Sequence, residues 1–99
     1  MDMQLNNRLG LVSGSTAGIG YAIAEALAAE GAKVIVNGRT QTAVDAAIAS
    51  IKKATGHDAL GFAGDLSKSE VAEALVRTHA DIEILVNNLG IFEPKPFGE

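Results

Sequence analysis

The sequence predicts an α/β fold, an open and doubly wound parallel sheet with helices packed on its faces. Three observations carry the prediction. Strand-length apolar runs alternate with helix-patterned stretches along all 99 residues, in the order β-α-β-α-β-α-β. The second and fourth runs are almost wholly apolar at their centres, as strands covered on both faces should be. The first run breaks into glycine directly before a helix, the place where such sheets receive ligands. Crossovers of this length between parallel strands turn right-handed, which leaves few topologies open.

The first strand is the run Leu9-Gly10-Leu11-Val12. The helix after it, over 18–30, carries Ile19, Ala22, Ile23, Ala26 and Leu27 at spacings of three and four, and Gly31 is placed to stop it. Its alanines favour helix and let it lie close to a sheet. "KVIVN" is a β-branched run between turn residues and predicts the second strand. Thr40 is placed to cap a second helix, with Val44, Ala47, Ile48 and Ile51 on one face and Gly56 at its end. "ALGFAGD" reads as a weaker third strand, diluted by Gly61 and Gly64. Ser67-Lys68-Ser69-Glu70 has capping-box spacing and opens a third helix with Val71, Ala74 and Leu75 inward. "IEILVNN" is the fourth strand, and "LGIFEPKPFGE" after it is Pro- and Gly-rich loop.

Composition excludes several functions. The chain is 47% apolar and 20% charged, with Tyr21, Phe62, Phe92 and Phe97 its only aromatics, so Val, Ile, Leu and Ala must make the core. A net charge of -4 argues against nucleic acid as a partner, because neutralising phosphates needs a basic face. Without cysteine there is no disulfide framework, thiolate zinc site or thiol nucleophile. His57 and His79 lack partners for a triad or a metal site and read as solvent-facing. The opening "MDMQLNNRLG" lacks the basic start and apolar stretch of a signal peptide, and no apolar segment is long enough to span a bilayer. A soluble, cytoplasmic protein is expected.

The stretch "SGSTAGIG" over 13–20 carries the first chemistry. A helix beginning near Gly18 points unpaired N–H groups and a partial positive charge into the loop, where phosphate is the natural guest. Gly14 lets the strand turn sharply, Gly18 lets backbone approach a diphosphate, and Gly20 lets the helix pack closely on the sheet. Ser15 and Thr16 offer hydroxyl donors to phosphate or ribose oxygens. A tight turn that binds nothing would show the same glycines, so three further features matter.

At the end of the second strand stand Asn37, Gly38 and Arg39, with no carboxylate. An acidic residue there would take the ribose 2′-hydroxyl of NAD, whereas an Arg accommodates the 2′-phosphate of NADP. The plain alternative for Arg39 is a solvated surface side chain. Asp65-Leu66 follows the third strand; Asp65 is placed to accept from the adenine amino group and Leu66 to back the ring, or Asp65 simply caps, although Ser67 is the better cap. Asn87-Asn88-Leu89-Gly90 closes the fourth strand. Two successive amides must be hydrogen-bonded, tying strand ends together and lining the ribose, and Gly90 lets the chain pass close to a nucleotide.

Taken together these residues resemble the short-chain dehydrogenase/reductase family, whose cofactor half shows T-G-x-x-x-G-x-G, an Asp-Leu or Asp-Val after strand three, and N-N-A-G. Ser13 stands for the usual Thr and keeps the hydroxyl, and Leu89 stands for Ala and adds bulk near the nicotinamide side. The resemblance implies a Rossmann-like fold, hydride transfer between NAD(P)H and a carbonyl or alcohol, and an oligomer at full length. Gly38-Arg39 resembles the NADP(H)-preferring members, with NAD the lesser cofactor. Gly14, Ser15, Thr16, Gly18, Ile19, Gly20, Arg39, Asp65, Leu66, Asn87, Asn88 and Gly90 are the implied cofactor residues.

The family's catalytic Ser and Tyr-x-x-x-Lys lie beyond the Asn-Asn motif, and none is found here. The single tyrosine, Tyr21, is followed four residues later by Glu25 rather than Lys. Residues 1–99 therefore read as a partial NAD(P)-binding domain, the front of a longer enzyme, sheet cut after its fourth strand and inactive alone. With nothing beyond it, "ILV" would form an exposed sheet edge. The alternatives are a non-catalytic nucleotide-binding module and, more remotely, a methyltransferase-like nucleotide user, which would want an acid where Gly38-Arg39 stands.

Overall fold

The computed structural model describes residues 8–88. These form β1 (Leu9–Val12), α1 (Gly18–Ala29), β2 (Lys33–Gly38), α2 (Gln41–Thr55), β3 (Leu60–Ala63), α3 (Ser69–Thr78) and β4 (Ile84–Val86), the alternation expected from the sequence. All pairings are parallel and the strand order is β3-β2-β1-β4. The chain moves outward from β1 to β3, then returns past β1 to place β4 on its other side. With crossovers of one hand, that reversal sends α3 to the opposite face from α1 and α2.

The core confirms the two faces. Val12, Val34 and Val36 pack with Ala24 and Ala28 of α1 and Ala47 and Ile51 of α2. Leu9, Leu11 and Ile35 point the other way and meet Leu66, in the turn after β3, and Leu75 of α3. Side chains alternate across a strand, so Val34, Ile35 and Val36 serve both layers in turn, and all three are fully buried. Each such side chain contributes roughly 1.5–3 kcal/mol by leaving water. β2 thus contributes to both layers of the core.

The helices differ in detail from their sequence patterns. In α2, Thr40 Oγ1 accepts from the Ala43 amide at 3.2 Å, and the helix closes at Gly56 as expected. In α1 the buried stripe is Gly20, Ala24 and Ala28, whereas Ile19 is 75% exposed and Ala22 and Ala26 face outward. The smallest residues face inward where this helix packs against β2 and α2. The capping box of α3 does not form. Its N-cap is Lys68 without a side-chain cap bond, and Ser67 donates to Asp65 instead. Leu75 is its one buried residue, with Val71 and Ala74 half-buried. Among the described residues β4 is an outer strand of this sheet with Leu85 51% exposed, so the cover on both faces expected from its apolar centre is not seen there.

Candidate functional site

The carboxyl ends of β1, β2 and β3 lie side by side, and the turns leaving them are knotted together by one residue. Asn37 is fully buried, and its Oδ1 accepts from the Gly14 amide at 3.0 Å. Its Nδ2 donates to the carbonyls of Phe62 at 3.0 Å and Gly64 at 3.2 Å. The backbone of Asn37 meets Ser15 twice: the Ser15 amide donates to Asn37 O at 2.7 Å, and the Asn37 amide donates to Ser15 Oγ at 2.9 Å. Sequence reasoning saw in Asn37 only a missing carboxylate. The signal was available, since an amide closing a buried β-branched run has to be hydrogen-bonded.

Ser15 requires a correction. Its hydroxyl donates to the Val12 carbonyl at 2.7 Å and the residue is fully buried. Both of its donors are committed inside the chain, so it builds the turn and offers nothing to a phosphate. Thr16, by contrast, is half-buried and lines a cleft together with Gly38 and Arg39.

Beyond the turn, α1 begins with an amino end suited to an anion. Its N-cap is Ala17, which has no side chain to cap with, and its first turn holds no acidic residue. The partial charge of the helix end and its first amides are left for a ligand. Gly14 at φ 58° and Gly18 at φ 64° sit in the left-handed region that side chains disfavour. A Cβ built on Gly18 would meet nothing within 4 Å, so open space lies outside that backbone. A diphosphate fits these features; the helix end has neither a cap nor a carboxylate to oppose it. Gly20 faces the other way, and a Cβ there would run into the Gly14 carbonyl.

Next to the helix start, Gly14, Thr16, Asn37, Gly38, Arg39, Gly64, Asp65 and Leu66 enclose a cleft of about 140 Å³. It brings together five of the residues singled out from sequence. Arg39 is exposed at its edge, and Leu66 is only 3% exposed, its side chain anchored in the core below. Asp65 Oδ1 accepts the Ser67 hydroxyl at 2.6 Å and the Ser67 amide at 3.0 Å. Those bonds hold its carboxyl below the ordinary value, the hydroxyl first and the amide next, with Arg39 and Lys68 adding attraction.

From the far side of β1, Asn88 Nδ2 donates to the Gly14 carbonyl at 3.1 Å. Ser13 ties the same strands, its amide donating to Val86 O at 3.1 Å. Asn87 is half-buried beside it. Leu89 and Gly90 lie outside the described residues. Tyr21 donates to Glu25 at 2.9 Å, and burial first, then that carboxylate, raises its pKa. His57 is exposed and His79 half-buried. Among the described residues no group of His, Asp and Glu is arranged for a metal, and no helix is long and apolar enough to cross a membrane. A larger hollow of about 450 Å³ lies on α3, lined by Ala72, Glu73, Val76 and Arg77, toward the helix end remote from the strand tips.

Comparison with known proteins agrees with this geometry. The profile of the short chain dehydrogenase family matches residues 9–99. An uncharacterized oxidoreductase of Bacillus subtilis, YvrD, is 48% identical over 103 aligned positions, covering 100% of this chain and 38% of that protein. A second from the same organism, YvaG, is 44% identical over 98% of this chain and 37% of that protein. The crystal structure of L-sorbose reductase from Gluconobacter frateurii, complexed with NADPH and L-sorbose, superposes with a TM-score of 0.83 at 33% identity, over 100% of this chain and 39% of that one. The chain thus spans well under half the length of the relatives it matches. Glycine turn, strand order and family profile agree, and the chain belongs to the short-chain dehydrogenase family.

Proposed function

We propose that this chain is the cofactor-binding half of an NADP(H)-dependent oxidoreductase that interconverts a small carbonyl compound and its alcohol. The observation that carries the reading is the uncapped, acid-free start of α1 beside a cleft edged by Arg39. The first amides of α1 and the bare backbone of Gly18 would hold the diphosphate. Arg39 would meet the ribose 2′-phosphate as a planar, permanently charged donor. Asp65 keeps an ionised carboxylate at the adenine end, and Asn88 holds the Gly14 carbonyl so that the turn keeps its shape. The nicotinamide, when bound, supplies or accepts the hydride. L-sorbose reductase, solved with NADPH, supports the phosphorylated cofactor.

The Tyr-x-x-x-Lys that the resemblance implies does not occur in these 99 residues, whose single tyrosine, Tyr21, donates to Glu25. Relatives more than twice this length leave the proton chemistry, the substrate pocket and assembly into a cytoplasmic homo-oligomer as parts of the proposal that a longer protein would carry. Calorimetric titration with NADPH and NADH tests the cofactor assignment; tighter NADPH binding is expected, and equal affinities would refute it. An in-frame Tyr-x-x-x-Lys downstream of Glu99 is the matching expectation for the enzyme.

A further inference from the structure

The end of β2 presents positions 37, 38 and 39 to the cleft, and two of them are closed to an acidic side chain. In dinucleotide-binding sheets such an acid takes the ribose 2′-hydroxyl and selects the cofactor without the phosphate. At position 37, Asn37 Nδ2 donates to the Phe62 and Gly64 carbonyls, and a carboxylate would set oxygen against oxygen at both. Position 38 is closed by shape. Gly38 does not need glycine for its backbone, because positive φ occurs at Gly14, Gly18, Gly31, Gly56 and Gly64 and not there. Thr16 is what needs it. A Cβ at Gly38 would collide with Thr16 Cγ2 and stand 3.3 Å from both Thr16 Oγ1 and Val44 Cγ2. Val44 is fully buried on α2 and cannot retreat, and a β-branched Thr has few rotamers to escape into.

We infer that Thr16 is a specificity-determining residue: its methyl, seated on the bare Cα of Gly38, shuts the end of β2 to an acidic side chain and keeps the site committed to a 2′-phosphorylated cofactor. The inference rests on the dinucleotide reading above and adds a second determinant to it. Arg39 attracts the phosphate, while the Thr16–Gly38 contact removes the place from which a competing carboxylate would reach the free hydroxyl. Changing the charge at Arg39 alone then weakens NADPH without creating an NADH site.

The test uses the full chain as wild type, Gly38→Asp, Thr16→Ser and the Thr16→Ser/Gly38→Asp pair, each melted and titrated with NADPH and NADH. Thr16→Ser removes the methyl and keeps the hydroxyl. Gly38→Asp alone should melt about 5 °C lower or more and bind both nucleotides at least about tenfold more weakly. The pair should regain most of the melting temperature and bind NADH about tenfold tighter than Gly38→Asp does, with NADPH still weak because the carboxylate repels its phosphate. If Gly38→Asp does not fold, Gly38→Ala brings the same Cβ without charge and gives the same melting contrast. The inference is overturned if Gly38→Asp alone keeps the wild-type melting temperature and gains NADH, or if Thr16→Ser relieves neither defect. Wild type that binds neither nucleotide would refute the dinucleotide reading and this one with it, whereas wild type that prefers NADPH while Gly38→Asp alone accepts NADH would refute only the Thr16 assignment.

Discussion

The side-chain amide of Asn88 and the carbonyl of Gly14, 74 residues apart in sequence, meet at 3.1 Å, directly over the bare Cα of Gly20. A methyl on Gly20 would overlap that carbonyl and stand 2.6 Å from Asn88 Nδ2. The glycine turn is therefore clamped from β4, and its third glycine exists to leave room for the clamp.

Gly20→Ala should destabilise the protein by about 1–3 kcal/mol through overpacking, although Ala is the better helix former. Urea denaturation reads the change. A stability equal to wild type would mean that the contact between α1 and the turn is looser than the geometry states.

Asn37→Leu keeps the bulk but strands the Gly14 amide and the carbonyls of Phe62 and Gly64. Buried groups left unpaired cost about 1–3 kcal/mol each, so a loss of at least about 3 kcal/mol is expected. Hydrogen exchange at the Gly14 amide should accelerate with it. Unchanged protection there would show that another acceptor replaces Oδ1.

Arg39→Gln separates the two cofactors. A charged hydrogen bond to phosphate contributes roughly 1.5–3 kcal/mol, so NADPH should bind about ten- to hundredfold more weakly while NADH changes little. Equal losses in a pair of titrations would remove Arg39 from the phosphate.

Gly18→Ala is the contrasting case. Its φ of 64° makes a side chain strained by about 1–2 kcal/mol, and the methyl would project into the open space beyond the turn. NADPH and NADH should weaken together, because both carry the diphosphate. A selective loss of one would contradict the assignment.

Asp65 yields a pH prediction. Its carboxyl titrates below the ordinary value because Ser67 donates to it twice. A depressed folded pKa means that the interaction is intact above the unfolded value and is lost as pH falls through the folded one. Ser67→Ala should move the Asp65 titration, followed by carboxyl NMR, back up toward the ordinary value. No movement would assign the shift to Arg39 and Lys68 instead.

The order of elements, the Thr40 cap and the turn at Gly14 were determined by the sequence alone, because each rests on local chemistry. A capping hydroxyl, a left-handed glycine or a β-branched run acts over a few residues, and the run of elements then leaves one economical sheet. The tertiary structure decided what depends on distance between elements. It turned Gly20, Ala24 and Ala28 of α1 innermost, kept Ile23 and Leu27 half-buried against the core beside them, and left Ile19, Ala22 and Ala26 outside, because close approach to a sheet favours the residue with least volume. It also enclosed the Ser15 hydroxyl between Val12 and Asn37, and it lent Ser67 to Asp65 instead of to the start of α3. A polar side chain takes the partner that folding brings near, and three strand ends supplied partners here that no single stretch of chain contains.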